Sequence, residues 1–154
     1  MANPLVAILN EKESGELLGR LLSPGVDFEL FEYAETAMPA IQTKKYDLIW
    51  MNGELASGPS YERVDVDGRL AKIMQTQPID YTQVVLHLID VARATSSPNR
   101  STPIIVHNIL DIESKLEMFS NLRRELALKR VTYLGGIQLA KKLIASANKA
   151  LYGI

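Results

Sequence analysis

Four side chains stand out as candidate general acids and bases: Glu11, Glu54, Asp65 and His107. His107 would serve as a proton acceptor with Glu11 or Glu54 as its carboxylate neighbour. Three neutral amides stand in the same short stretches: Asn10 in "ILNE", Asn52 in "WMNGE" and Asn108 in "VHN". "LGG" adds Gly135 and Gly136. The alternative reading of His107 is a strand-end histidine packed under a loop, and that of Asn52-Gly53 is a favoured turn pair.

Other constellations carry less. "DVDG" at 65–68 begins like a calcium loop but lacks the following oxygen ligands and the closing glutamate, so no metal site is assigned. "GELASGPS" fits neither glycine-rich phosphate pattern. "NEKESGE" is too acidic to cradle a flavin phosphate, because an anion site at a helix start wants backbone donors free of competing carboxylates. No cofactor is expected. His87 lies in an apolar helical stretch and Trp50 in an apolar run, both read as core. With no cysteine, thiolate catalysis, disulfides and cysteine metal sites are excluded.

The elements that must position these groups follow from apolar patterning. "PLVAIL" (4–9), "DLIWM" (47–51), "TPIIVHN" (102–108) and "RVTYLGG" (130–136) are short apolar runs, as expected of strands covered on both faces. "FELFEY" (28–33) alternates like an edge strand. Leucines at 17, 18, 21 and 22 mark one face of a helix that "SPG" ends. Helices are further expected over 34–45, with Pro39 in the first turn or at a kink, and over 78–94, 111–128 and 137–152. Residues 53–77 form an irregular insert with a weak apolar pattern from Leu70 to Met74. Strict alternation predicts an α/β fold, a doubly wound five-stranded parallel sheet in a single domain spanning 1–154.

Such sheets bind ligands beyond the carboxyl ends of their strands, which is where the asparagines, Glu11, Glu54 and His107 fall. "LVAILNEKESGELLGRLL", "YDLIWMN", "TPIIVHN" and "TYLGGI" together resemble the framework of response-regulator receiver domains. The resemblance covers most of the chain outside 53–77 and implies a flavodoxin-like sheet of order 2-1-3-4-5. It also implies where reactive groups belong. The acidic pair that holds Mg²⁺ falls on Leu9 and Asn10, with Glu11 matching the acid that often follows. The phosphorylated aspartate falls on Asn52, the hydroxyl residue on Asn108, and the lysine on Gly135 or Gly136. Every one of these positions departs from the family pattern. The resemblance is thus to a pseudo-receiver, without catalytic residues or a metal.

Length and charge bound the function. The 154 residues suit one domain, and a net charge of −1 gives no reason to expect nucleic acid or a membrane surface as partner. Residues 1–77 carry 7 basic against 12 acidic groups, and 78–154 carry 10 against 6, an asymmetry that would suit self-association or a charged partner. The chain shows no signal-peptide pattern or membrane span, so a cytoplasmic protein is expected. The leading expectation is a non-enzymatic signalling or scaffolding module that binds another protein or a second copy of itself. It would act through the insert, or through a face bearing Leu116, Phe119 and Leu122. The alternative is a flavodoxin-like small-molecule or nucleotide-binding enzyme with the insert as lid and Glu54, Asp65 and His107 in its site.

Overall fold

The computed structural model describes residues 2–55, 68–76 and 78–154. Five parallel strands, β1 (Leu5–Leu9), β2 (Asp27–Phe31), β3 (Leu48–Asn52), β4 (Ile104–Asn108) and β5 (Thr132–Gly135), form one sheet of order β2-β1-β3-β4-β5. The register sets Leu9 beside Met51 and Phe31, and Asn52 beside His107. The helices are α1 (Lys12–Leu22), α2 (Ala34–Thr43), α3 (Arg69–Gln75), α4 (Tyr81–Arg93), α5 (Ser120–Leu128) and α6 (Ala140–Tyr152). The doubly wound sheet and its strand order match expectation.

Side chains alternate across each strand, so the sheet divides the core in two. Ala7, Leu9, Ile49, Met51, Ile104 and Val106 pack with α2, α4 and α5. Val6, Ile8, Leu48, Trp50 and Ile105 pack with α1 and α6. Burial on both faces explains why the three central strands read as unbroken apolar runs. Close layering has local demands: a Cβ on Gly19 of α1 would run into the Phe28 ring.

At the amino-terminal edge of the sheet, the fully buried Asn99 donates to the carbonyls of Ile41 and Lys44, both at 2.7 Å. Its Oδ1 accepts from the Tyr46 N–H at 2.9 Å and the Thr102 hydroxyl at 3.0 Å. One side chain therefore joins the α2–β3 turn to the approach to β4.

Several boundaries differ from expectation. Within 53–77, residues 69–75 form α3, whose Leu70 is buried, so that part is not loop; residues 56–67 and 77 lie outside those described. Pro39 sits in the second turn of α2, not the first. The helix expected over 111–128 is helical only from Ser120, preceded by two short 3₁₀ turns, Ile112–Ser114 and Glu117–Phe119. Here the backbone N–H of Leu116 bonds to the Asp111 carboxylate at 2.9 Å, and Glu113 and Ser114 have φ of 52° and 59°. Side-chain capture of a backbone donor competes with the helical ladder. The last helix starts at Ala140, not Ile137, because Gly136 turns the chain with φ of 76°.

Candidate functional site

The carboxyl ends of β1, β3 and β4 bring Asn10, Asn52, His107 and Asn108 to one rim, as the strand-end rule requires. Asn52 and Asn10 meet directly: the Asn52 Nδ2 donates to Asn10 Oδ1 at 3.0 Å. Backbone donors fix both amides. The Glu54 N–H donates to Asn52 Oδ1 at 3.1 Å, and the Glu11 N–H to Asn10 Oδ1 at 2.8 Å. An oxygen must therefore face each of these N–H groups, which leaves the Asn52 NH₂ pointing at the Asn10 oxygen. The pair works as it does because both members are neutral amides.

The other rim residues are committed locally. Glu11 caps α1, its carboxylate accepting from the Ser14 hydroxyl at 2.8 Å and the Ser14 N–H at 3.4 Å. Leu9 turns the other way and is fully buried in the α2–α4–α5 layer. Asn108 is buried beneath the β4–α5 loop, where its Oδ1 accepts from the Leu110 N–H at 3.3 Å. Its backbone carbonyl accepts from Gly136 at 2.9 Å. Gly53 lies so close that a Cβ there would stand 2.8 Å from Asn108 Cγ. Gly136 bears no side chain to reach toward the rim.

His107 stands edge-on to Trp50, with ring centroids 6.5 Å apart, and its Nε2 lies 2.7 Å from the Gly136 carbonyl. A carbonyl only accepts, so Nε2 carries the hydrogen in the neutral ring. Of its expected carboxylate neighbours, Glu11 is spent on Ser14, while Glu54 is exposed and tied to the rim through its backbone. Asp65 lies outside the described residues. Among the described residues no cluster of three or more His, Cys, Asp or Glu could hold a metal ion. Trp50 is 1% exposed and His87 is buried in α4, both core residues as read.

Sequence reading missed one group. Asp111, fully buried, accepts from Arg123 at 2.6 Å, from the Tyr133 hydroxyl at 2.7 Å and from the Leu116 N–H. Burial pushes its carboxyl up, yet the Tyr133, Leu116 and Arg123 donors outweigh burial and hold it below the usual carboxylate range. Burial, and then the facing carboxylate, push the Tyr133 hydroxyl up. Gly135 belongs to this assembly, since a Cβ on it would lie 2.7 Å from the Asp111 carbonyl oxygen and 2.8 Å from the Ser114 nitrogen. Its members are 12 and 10 residues apart along the chain and follow no helical spacing, so only the fold announces them.

Phe119 and Leu122, read as candidates for a partner face, are buried against the sheet, and Leu116 packs partly buried beside them. A group of exposed apolar side chains lies on the two loops above β4 and β5, with Ile109, Leu110, Ile112 (63% exposed) and Ile137 (90% exposed) around a cavity of about 500 Å³, while others such as Leu17, Met118 and Leu128 are scattered over the helices and turns.

No family model matches the sequence, and no curated protein matches it. Solved structures do resemble the fold. A CheY-like response regulator receiver domain protein from Methanospirillum hungatei superposes with a TM-score of 0.66 at 9% identity, covering 97% of this chain and 94% of that one. A Francisella response regulator receiver domain gives 0.63 at 19% identity, covering 97% of each. The receiver domain of a Pseudomonas aeruginosa sensor histidine kinase, with a magnesium ion coordinated in its active-site cleft, gives 0.59 at 15% identity over 97% and 98%. With its strand order and these likenesses, the chain has the flavodoxin-like receiver fold.

Proposed function

We propose that this chain is a receiver-like module that cannot be phosphorylated, and that it signals or scaffolds in the cytoplasm by binding other proteins. The observation that carries the reading is the Asn10–Asn52 amide pair at the rim. An acyl phosphate needs a carboxylate nucleophile, and an amide oxygen is neutral. Mg²⁺ wants anionic oxygens. Leu9 is apolar and buried, Asn10 Oδ1 already accepts two hydrogen bonds, and the Glu11 carboxylate caps α1. These residues do not fit the ion, so no step is routed through it.

Protein binding is supported by the apolar side chains on the β4–α5 and β5–α6 loops, since neighbouring exposed apolar groups on a small domain mark interaction surfaces. Two measurements test the reading. Incubated with acetyl phosphate and Mg²⁺, the protein keeps its intact mass; a stoichiometric phosphoryl adduct overturns the first half. Pull-down from native lysate with mass spectrometry recovers a partner that the Ile112→Glu/Ile137→Glu variant fails to recover. Equal recovery by parent and variant overturns the assigned surface.

A further inference from the structure

Asn52 is followed by Gly53, and it alone of the seven asparagines precedes a glycine. That pairing has a chemistry of its own. The backbone nitrogen after an asparagine can attack the side-chain Cγ, and with glycine there no Cβ shields it. The new N–Cγ bond closes a five-membered imide, the nitrogen gives up its proton, and the side-chain amide leaves as ammonia. One water then opens the ring. Cleavage at Cγ leaves aspartate, and cleavage at the main-chain carbonyl leaves isoaspartate, with the chain rerouted through the side chain. Ammonia is exchanged for water and nothing is oxidised or reduced.

The fold holds both reactants back. The Gly53 N–H donates to the His107 carbonyl at 2.9 Å, continuing the β3–β4 ladder past Asn52, so the attacking nitrogen is tied and its proton engaged. Gly53 is buried, and the Asn108 side chain stands where a Cβ of Gly53 would be, which leaves this peptide little room to swing. The leaving group is held as well, since the Asn52 Nδ2 donates to Asn10 Oδ1 at 3.0 Å. The Glu54 N–H on Asn52 Oδ1 acts the other way, drawing electrons from Cγ and favouring attack. The brakes are therefore the ladder bond of Gly53 and the contact with Asn10. Asn52 itself is only half-buried, so water reaches it.

We propose that Asn52–Gly53 is a site of spontaneous deamidation, gated by this end of the β3–β4 ladder. Chains with a closed rim keep the asparagine, and chains whose rim opens convert. Conversion runs one way and reinforces itself. Aspartate at position 52 has no N–H for Asn10, and isoaspartate adds a backbone carbon where Gly53 has no room beside Asn108. Either product opens more readily than the parent, so the modification records past opening. The inference rests on the amide pair and the Gly53 bond; the acetyl phosphate and pull-down experiments do not bear on it.

The test incubates the full chain at mildly alkaline pH, folded in buffer and unfolded in guanidinium chloride. The peptide carrying Asn52 is followed by mass spectrometry, with aspartate and isoaspartate forms separated by chromatography. Unfolded chains should convert at Asn52 ahead of every other asparagine. Having to break two hydrogen bonds, Gly53 to His107 and Asn52 to Asn10, lowers the reactive population about thirtyfold, and the folded chain should be slower by at least that factor. Asn10→Ala removes one of the two, so its folded rate should rise about fivefold while its unfolded rate stays parental. Equal rates in the folded and unfolded parent, first conversion at another asparagine, or an unchanged folded rate in the variant overturns the proposal. The folded-against-unfolded comparison uses the parent alone, so it decides even if the variant fails to fold.

Discussion

Replacing Asn52 by Asp changes one atom of the rim, and the surroundings set its consequence. Two hydrogen bonds run through the side chain. The Glu54 N–H to Oδ1 bond at 3.1 Å survives, since a carboxylate accepts at least as well as an amide. The Nδ2 to Asn10 Oδ1 bond at 3.0 Å does not: two oxygens now face each other at that distance. Loss of one such bond costs about 1 kcal/mol. Repulsion between the new charge and the Asn10 oxygen, in a partly buried setting, adds up to about 1 kcal/mol more. Rotating the Asn10 amide to donate would strip the Glu11 N–H of its acceptor at 2.8 Å, so relaxation returns little. The expected loss is 1–2 kcal/mol near neutral pH, read by urea denaturation at constant m.

The loss should depend on pH. The repulsion raises the introduced carboxyl's folded pKa above its unfolded value of about 3.9. A raised acidic pKa destabilises above the folded value, and the penalty vanishes below the unfolded one. The protonated carboxyl can also donate to Asn10 Oδ1 and restore the bond. The variant should therefore approach parental stability as pH falls below about 4. Equal stability of variant and parent at neutral pH, or a deficit that does not shrink in acid, would refute the amide-pair geometry.

Three further substitutions probe the framework. Asp111→Asn leaves Arg123 facing an uncharged amide and should cost about 3 kcal/mol at neutral pH by urea melts. Because the folded pKa of Asp111 is lowered, the parent's advantage is full above the unfolded value of about 4 and disappears as pH falls through the folded one, so the two melts should converge in strong acid. Gly135→Ala pushes a methyl against the Asp111 carbonyl and the Ser114 nitrogen, both backbone atoms, and should lower stability by about 2 kcal/mol; an unchanged thermal midpoint contradicts that packing. Asn99→Ala removes four hydrogen bonds from a buried site and should cost at least 2 kcal/mol, with hydrogen exchange at the Tyr46 amide speeding up more than at β5.

The strands were legible because a strand buried on both faces must be apolar throughout, as Val6–Leu9 and Leu48–Met51 are. Asn10, Asn52 and His107 were legible as rim residues for the same reason, since each is the first polar group after such a run. Their hydrogen bonds were not, because the choice between turn residue and amide pair depends on Glu11 and Glu54 backbone donors that only the folded rim supplies. The segment 111–119 was misread because its spacing of Ile112, Leu116 and Phe119 is helical, whereas Asp111 gains more from Arg123, Tyr133 and the Leu116 N–H than a helix would return. Phe119 and Leu122, read as candidates for a partner face, cover the sheet instead, while Ile112 turns outward.

Leu9 and Asn10 are neighbours in sequence but belong to different compartments, and that separation makes the two positions unequal in the side chains they accept. Asn10 is half-buried at the rim, where a new side chain meets only the Glu11 N–H and the Asn52 amide as hydrogen-bond partners. Leu9 is 0% exposed and sealed behind the sheet with Ala7 and Met51. An acid at position 9 would forfeit about 2–5 kcal/mol of leucine packing before any charge is counted. Since a domain of this size holds only about 5–15 kcal/mol in reserve, such a chain would fold poorly unless compensating core changes came with it. Position 10 can take another hydrogen-bond acceptor for the Glu11 and Asn52 donors, while position 9 is closed to any polar side chain.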